Sequence, residues 1–199
     1  AGRLEMTGGG TSYIQDQDGG TLKLGEFRIA KPGGYVYIAN ADLNILGNLV
    51  ITNGNLSCYN SPTQNVSNNI NIKGDWHNLL HPNGFEPGDG KVTFSGAGHQ
   101  SIFFSENFNI LEANMGAALR ILYPGQIVTC NQYLWTSGGI DVYPGGTFTA
   151  LDLAQQGLTG GFCVNPGSVI NLYQDNSQWI DLDGDWYFNG GGTINVYGG

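Results

Sequence analysis

The chain has 199 residues, 33 of them Gly, with 16 Asp and Glu against 7 Lys and Arg and a formal net charge of −9. The length suits one domain over residues 1–199. Gly without a three-residue period excludes collagen, 12% aromatic content excludes a disordered tract, and an acidic surface with no basic run excludes nucleic acid as a partner.

Taken along the chain, short runs rich in β-branched and aromatic residues read as strands at 21–24, 35–38, 43–46, 49–51, 70–72 and 91–94. Residues 105–118 carry marks of a helix, a candidate N-cap at Ser105 and a Gly at 116. Phe108-Asn109-Ile110-Leu111 nevertheless alternates, and the repeat register favours a strand there. Further strands are predicted at 140–142, 169–172 and 193–196. Gly, Asn, Asp or Pro bounds each run and supplies the turn geometry of tight corners.

Five Pro-Gly pairs punctuate these runs: Pro32-Gly33, Pro87-Gly88, Pro124-Gly125, Pro144-Gly145 and Pro166-Gly167. The last three are evenly spaced, and a short apolar strand follows each turn. A turn recurring at such a step, about 20–22 residues, is the mark of a stacked β-coil. The expected fold is therefore all-β, a parallel β-helix (β-solenoid) with coils of about 20–22 residues. Nine or so coils at a rise of ~4.8 Å give a rod of roughly 40–45 Å. Open coil ends are pairing templates, so end-to-end self-association into fibres is expected, as is a longer parent chain.

A second similarity is longer. Gly74-Asp75-Trp76 recurs as Gly184-Asp185-Trp186, each followed by a Gly-rich turn and a strand. That separation equals five coils of about 22 residues. The stretch Gly74-Asp75-Trp76-His77-Asn78, then Phe85-Glu86-Pro87-Gly88-Asp89-Gly90-Lys91-Val92-Thr93-Phe94-Ser95-Gly96, then Gln100-Ser101-Ile102, resembles a recurring unit of large secreted bacterial repeat proteins. That resemblance implies an exported or cell-surface β-helix of structural or adhesive role, and it implies no activity.

Candidate chemistry is sparse. Asp181, Asp183 and Asp185 resemble the start of a calcium loop, but the equivalent residues of the earlier unit are Asn71, Lys73 and Asp75, so the repeat does not demand a metal. No cofactor is expected. Cys58, Cys130 and Cys163 sit in apolar runs and read as small core residues, with one disulfide plus a free thiol as the alternative. Tyr133, Trp135, Tyr143, Trp179 and Tyr187 could form an aromatic platform for a surface glycan. His77, His81 and His99 read as loop residues. Arg3, Arg28 and Arg120 are far apart in sequence, and Asp141, Asp152 and Asp175 do not share one coil register, so polysaccharide cleavage lacks its clustered groups. Only Thr147-Phe148-Thr149 fits the Thr-x-Thr ladder of an ice-binding solenoid. No segment carries the ~18–20 apolar residues that cross a bilayer as a helix. The expected function is a non-catalytic, extracellular or cell-surface structural solenoid; the alternative is an extracellular β-helix that binds or cleaves polysaccharide.

Overall fold

The computed structural model describes residues 2–16, 18–155, 161–174, 187–188 and 191–198. Among them there is no helix, and 19 strands join one sheet in which every pairing is parallel. The sheet winds into a β-solenoid of about 8 turns. At ~4.8 Å per turn that is roughly 38 Å of rod, slightly shorter than the sequence suggests.

Three walls make up each coil. Wall A carries the inward column Leu4, Phe27, Leu49, Trp76, Ile102, Ile121, Val142, Val164, each in register with the next. Wall C carries Leu22, Leu43, Ile70, Val92, Leu111, Tyr133 and Leu153 in the same manner. Wall B carries Val36, Leu56 and Phe85 in the first half and Val128, Phe148, Ile170 and Ile194 in the second. Nearly all of these side chains have no exposed surface in the middle coils. Alternation of period two sends one residue into this core and the next to water, which is why short apolar-polar runs suffice to build it.

Individual strands are longer than the sequence suggests. Glu26–Ala39, Glu106–Ile121 and Ile127–Val142 continue around corners, and their ladders shift register there, at Ala30 and around Asn114. Residues 106–118 are strand, as the repeat register favours.

Coil length varies around the expected value. Along wall A the steps from Ile121 to Val142 and from Val142 to Val164 match it, whereas the step from Leu49 to Trp76 is clearly longer. The surplus in that coil is the antiparallel hairpin Tyr59–Ser61 with Gln64–Ser67. The next winding, from Trp76 to Ile102, is long as well.

Three of the five Pro-Gly pairs form stacked turns. Gly125, Gly145 and Gly167 have φ of 75°, 76° and 71°, and Gln126, Gly146 and Ser168 donate to the carbonyls of Tyr123, Tyr143 and Asn165. Positive φ after Pro is the type II signature. The first pair differs: Pro32 and Gly33 lie inside the strand Glu26–Ala39, and Gly34 takes the positive φ.

The Gly-Asp-Trp similarity is only partly a register equivalence. Five windings above Trp76 on wall A stands Phe188, close to the expected five-coil separation. But Lys91–Phe94 builds wall C while Thr193–Tyr197 builds wall B, so the strands that follow are not equivalents. Trp76 itself is core, wholly buried, and not a corner residue.

Candidate functional site

Buried amides staple one winding to the next. Gln126 Nε2 donates to the carbonyls of Ile102 (2.7 Å) and Phe104 (2.6 Å), and its Oε1 accepts from Tyr123 N–H. Gln100 repeats the device at the corner between walls C and A, donating to Ile72 and Gly74 carbonyls and accepting from Gly96 N–H. These corners turn away from the ladder, and the side-chain amides satisfy the groups left over. The Gln-x-Ile of the recurring unit is thus a structural staple.

The outer face of wall C holds a concave feature. A trough of about 430 Å³ runs across several coils and is lined by Asp42, Asn44, Asn71, Lys91, Thr93 and Glu112 among others. On its last rung stands the Glu112 carboxylate, which accepts from Lys91 Nζ at 2.6 Å, Thr93 Oγ1 at 2.9 Å and Thr136 Oγ1 at 3.0 Å. Burial would push this carboxyl up, but the Lys91 and Thr93 hydrogen bonds outweigh it and hold the pKa below the ordinary range. Asp42 accepts from the backbone N–H of Asn69 at 2.7 Å. Acceptors, amides and one cation face outward together here, with no aromatic ring in the lining.

A second constellation lies inside wall B. Glu106 is 1% exposed; its Oε2 accepts from Trp76 Nε1 at 2.9 Å and Asn78 Nδ2 at 2.8 Å, and Oε1 accepts from Asn107 N–H at 3.0 Å. Burial pushes its pKa up to about 7 despite those three donors. No charged group stands among the causes of that shift. It is enclosed by Trp76 and the rings packed on it, Phe85 and Phe108, so it is a core acid without access for a substrate.

Among the described residues the expected aromatic platform does not form. Tyr133 and Trp135 are 0% and 1% exposed because Gln132-Tyr133-Leu134-Trp135 turns its rings into the core of wall C. Tyr143 is half-buried at a Pro-Gly turn. Trp179 lies outside the described residues, as does the Tyr187 side chain. Asp181, Asp183, Asp185 and Asp175 also lie outside them. Among the described residues no group of three or more His, Cys, Asp or Glu could hold a metal ion.

The histidines divide. His81 and His99 are exposed, but His77 is on the strand Trp76–Asn78, stacked on Phe103 at 4.0 Å, and burial lowers its pKa. Phe104 at φ 76° stacks on His81 and on Tyr123. Arg3 and Arg28 are not apart in space: both reach Glu5, at 2.9 and 3.5 Å. Arg120 stands over Asp141 on wall A, 3.7 Å away, whereas Asp152 is in the coil path next to Gln132 on wall C. Cys58 and Cys130 are buried core thiols as expected; Cys163 is half-exposed on the outside of wall A, and all three are free. No helix among the described residues is long and apolar enough to cross a membrane.

No protein-family model matches the chain, and neither a curated protein nor a solved structure is similar to it. The likeness to bacterial repeat proteins therefore rests on the motif residues alone.

Proposed function

We propose that the chain is a non-catalytic structural β-solenoid, secreted or at a cell surface, acting as a fibre subunit, spacer or adhesin stalk. The observation that carries this reading is the state of its outermost described coils. Among the described residues, Arg3–Met6, Ser12–Gln15 and Thr21–Leu24 each pair on one side only, and Leu4, Met6, Leu22 and Leu24 are only partly buried. At the other end Thr193–Tyr197 also has a single described neighbour, and Val196 is 51% exposed. Ladder edges backed by incompletely covered core residues are pairing templates.

Negative-stain microscopy and sedimentation of the purified protein test this reading. Rods that lengthen with concentration support it; release of defined oligosaccharides from a polysaccharide overturns it.

The wall C trough favours a second reading, an extracellular β-helix that binds or cleaves polysaccharide. Its support is a concave, carboxylate-bearing strip on an outer wall, where a chain can lie across several coils. Under this reading Glu112→Gln lowers the rate of reducing-end release; under the first there is no release to lower.

A further inference from the structure

The outer face of wall B in the second half of the rod is unusual for a chain of net charge −9. On five successive rungs, starting at Ser105, Ile127, Thr147, Val169 and Thr193, the outward residue and those two and four positions later include no charged side chain. Down the centre runs one column in strict register: Asn107, Thr129, Thr149, Asn171, Asn195. All five carry an amide or a hydroxyl.

These groups hold one another in place. Asn195 Nδ2 donates to Asn171 Oδ1 at 2.9 Å, Asn171 Nδ2 donates to Thr149 Oγ1 at 3.2 Å, and beside them Asn131 Nδ2 donates to Asn109 Oδ1 at 2.9 Å. Each such amide retains a second N–H and a second lone pair, and the ladder fixes those free valences toward solvent. Flanking the column are four of the chain's exposed large apolar residues, Ile127, Leu151, Tyr173 and Tyr197. The two tyrosines stack at 4.4 Å.

Size and charge select the occupant. Four rungs of ~4.8 Å by two steps of ~6.8 Å give a face of roughly 19 by 14 Å between outer Cα positions. That is far below the ~800 Å² per partner of a stable protein interface, so a second copy is a poor fit. Long, narrow and uncharged, the face suits a thin uncharged polymer. Its hydrogen-bonding groups repeat with about the advance of one β-linked pyranose per coil, ~4.8 Å.

We propose that this face binds a neutral, hydroxyl-rich glycan lying along the rod axis, one sugar per rung, with the Asn/Thr column bonding its hydroxyls and the apolar flank covering its C–H faces. The proposal goes beyond the scaffold reading and does not depend on it, since rods form or fail to form whatever binds their sides. It is also spatially separate from the wall C trough.

The test is calorimetric titration of the protein with neutral hexasaccharides of β-linked glucose, mannose, galactose and N-acetylglucosamine, beside an oligogalacturonate of equal length. Saturable binding of at least one neutral probe is expected, at least tenfold tighter than the uronate. Thr149→Glu and the more exposed Ile127→Lys should each weaken it at least tenfold while Thr63→Glu, on the distant hairpin, leaves it unchanged; unaltered circular dichroism shows that each variant folds. No binding of any neutral probe, binding indifferent to both wall B variants, or shaping of ice crystals by this face without glycan binding would each overturn the proposal. Rod formation in the microscope is scored separately, so loss of one result leaves the other standing.

Discussion

Trp76 and Glu106, far apart in sequence, meet inside the solenoid, where the indole Nε1 donates a 2.9 Å hydrogen bond to the carboxylate. The pair ties wall A to wall B within the core, and it makes an acid the central polar group of that core.

That burial fixes the sign of a pH dependence. Glu106 has its folded pKa raised from 4.5 to about 7. Its protonated form is favoured in the folded state, so its contribution is fully present below about pH 4.5 and is lost as pH rises through 7. The loss amounts to about 3 kcal/mol, at ~1.4 kcal/mol per unit. Thermal melts should show stability falling between pH 5 and 8, and Glu106→Gln should flatten that limb. Glu112 acts oppositely: its lowered pKa contributes stability above the ordinary carboxyl range and loses it on acidification. A Glu106→Gln profile as steep as wild type would contradict this assignment.

Tyr133 is fully buried, and among the described residues its hydroxyl has no hydrogen-bond partner. Burial raises its pKa, so it stays a neutral phenol. Desolvating an unpaired hydroxyl costs about 1–3 kcal/mol. Tyr133→Phe keeps the ring against Phe148 and removes that cost. The variant should melt at a higher temperature than wild type in calorimetry; a lower melting point would show that the hydroxyl is bonded.

Gln126 should be far less tolerant. Gln126→Leu keeps the volume but strands the carbonyls of Ile102 and Phe104 and the N–H of Tyr123 in a buried corner. Two or three unsatisfied groups cost on the order of 2–5 kcal/mol. Urea titration should show a lower midpoint, with the slope unchanged if the stack stays cooperative.

Thiol labelling should rank the cysteines. Burial raises the pKa of Cys58 and Cys130, leaving neutral, inaccessible thiols. Cys163 is half-exposed, with its pKa raised by burial and by Asp141. An aromatic disulfide reagent should modify Cys163 slowly in the native protein and the other two only on unfolding. Native labelling of Cys58 ahead of Cys163 would contradict the placement of that coil.

The sequence reveals the coil where local chemistry repeats: Pro124, Pro144 and Pro166 each precede a positive-φ Gly, and that alone marks the corner. It conceals the coil where the repeat is stretched, because the hairpin 59–67 lengthens one winding without changing its walls. Orientation is legible only when polarity alternates. Tyr133, Leu134 and Trp135 are apolar at both parities, so nothing local tells which rings face inward. The Glu112–Lys91 pair and the wall B column are invisible for a different reason. Their members lie a whole winding apart along the chain, and they become neighbours only once the register of stacked coils is known.

The most direct test of coil stacking is a set of spin-label distances up the central column of wall B, from Asn107 to Thr129, Thr149, Asn171 and Asn195 in turn. Stacked coils predict a monotonic rise of about 4.8 Å per rung, reaching about 19 Å between Asn107 and Asn195. Distances that fail to grow with rung number, as two face-to-face antiparallel layers would produce, would contradict it.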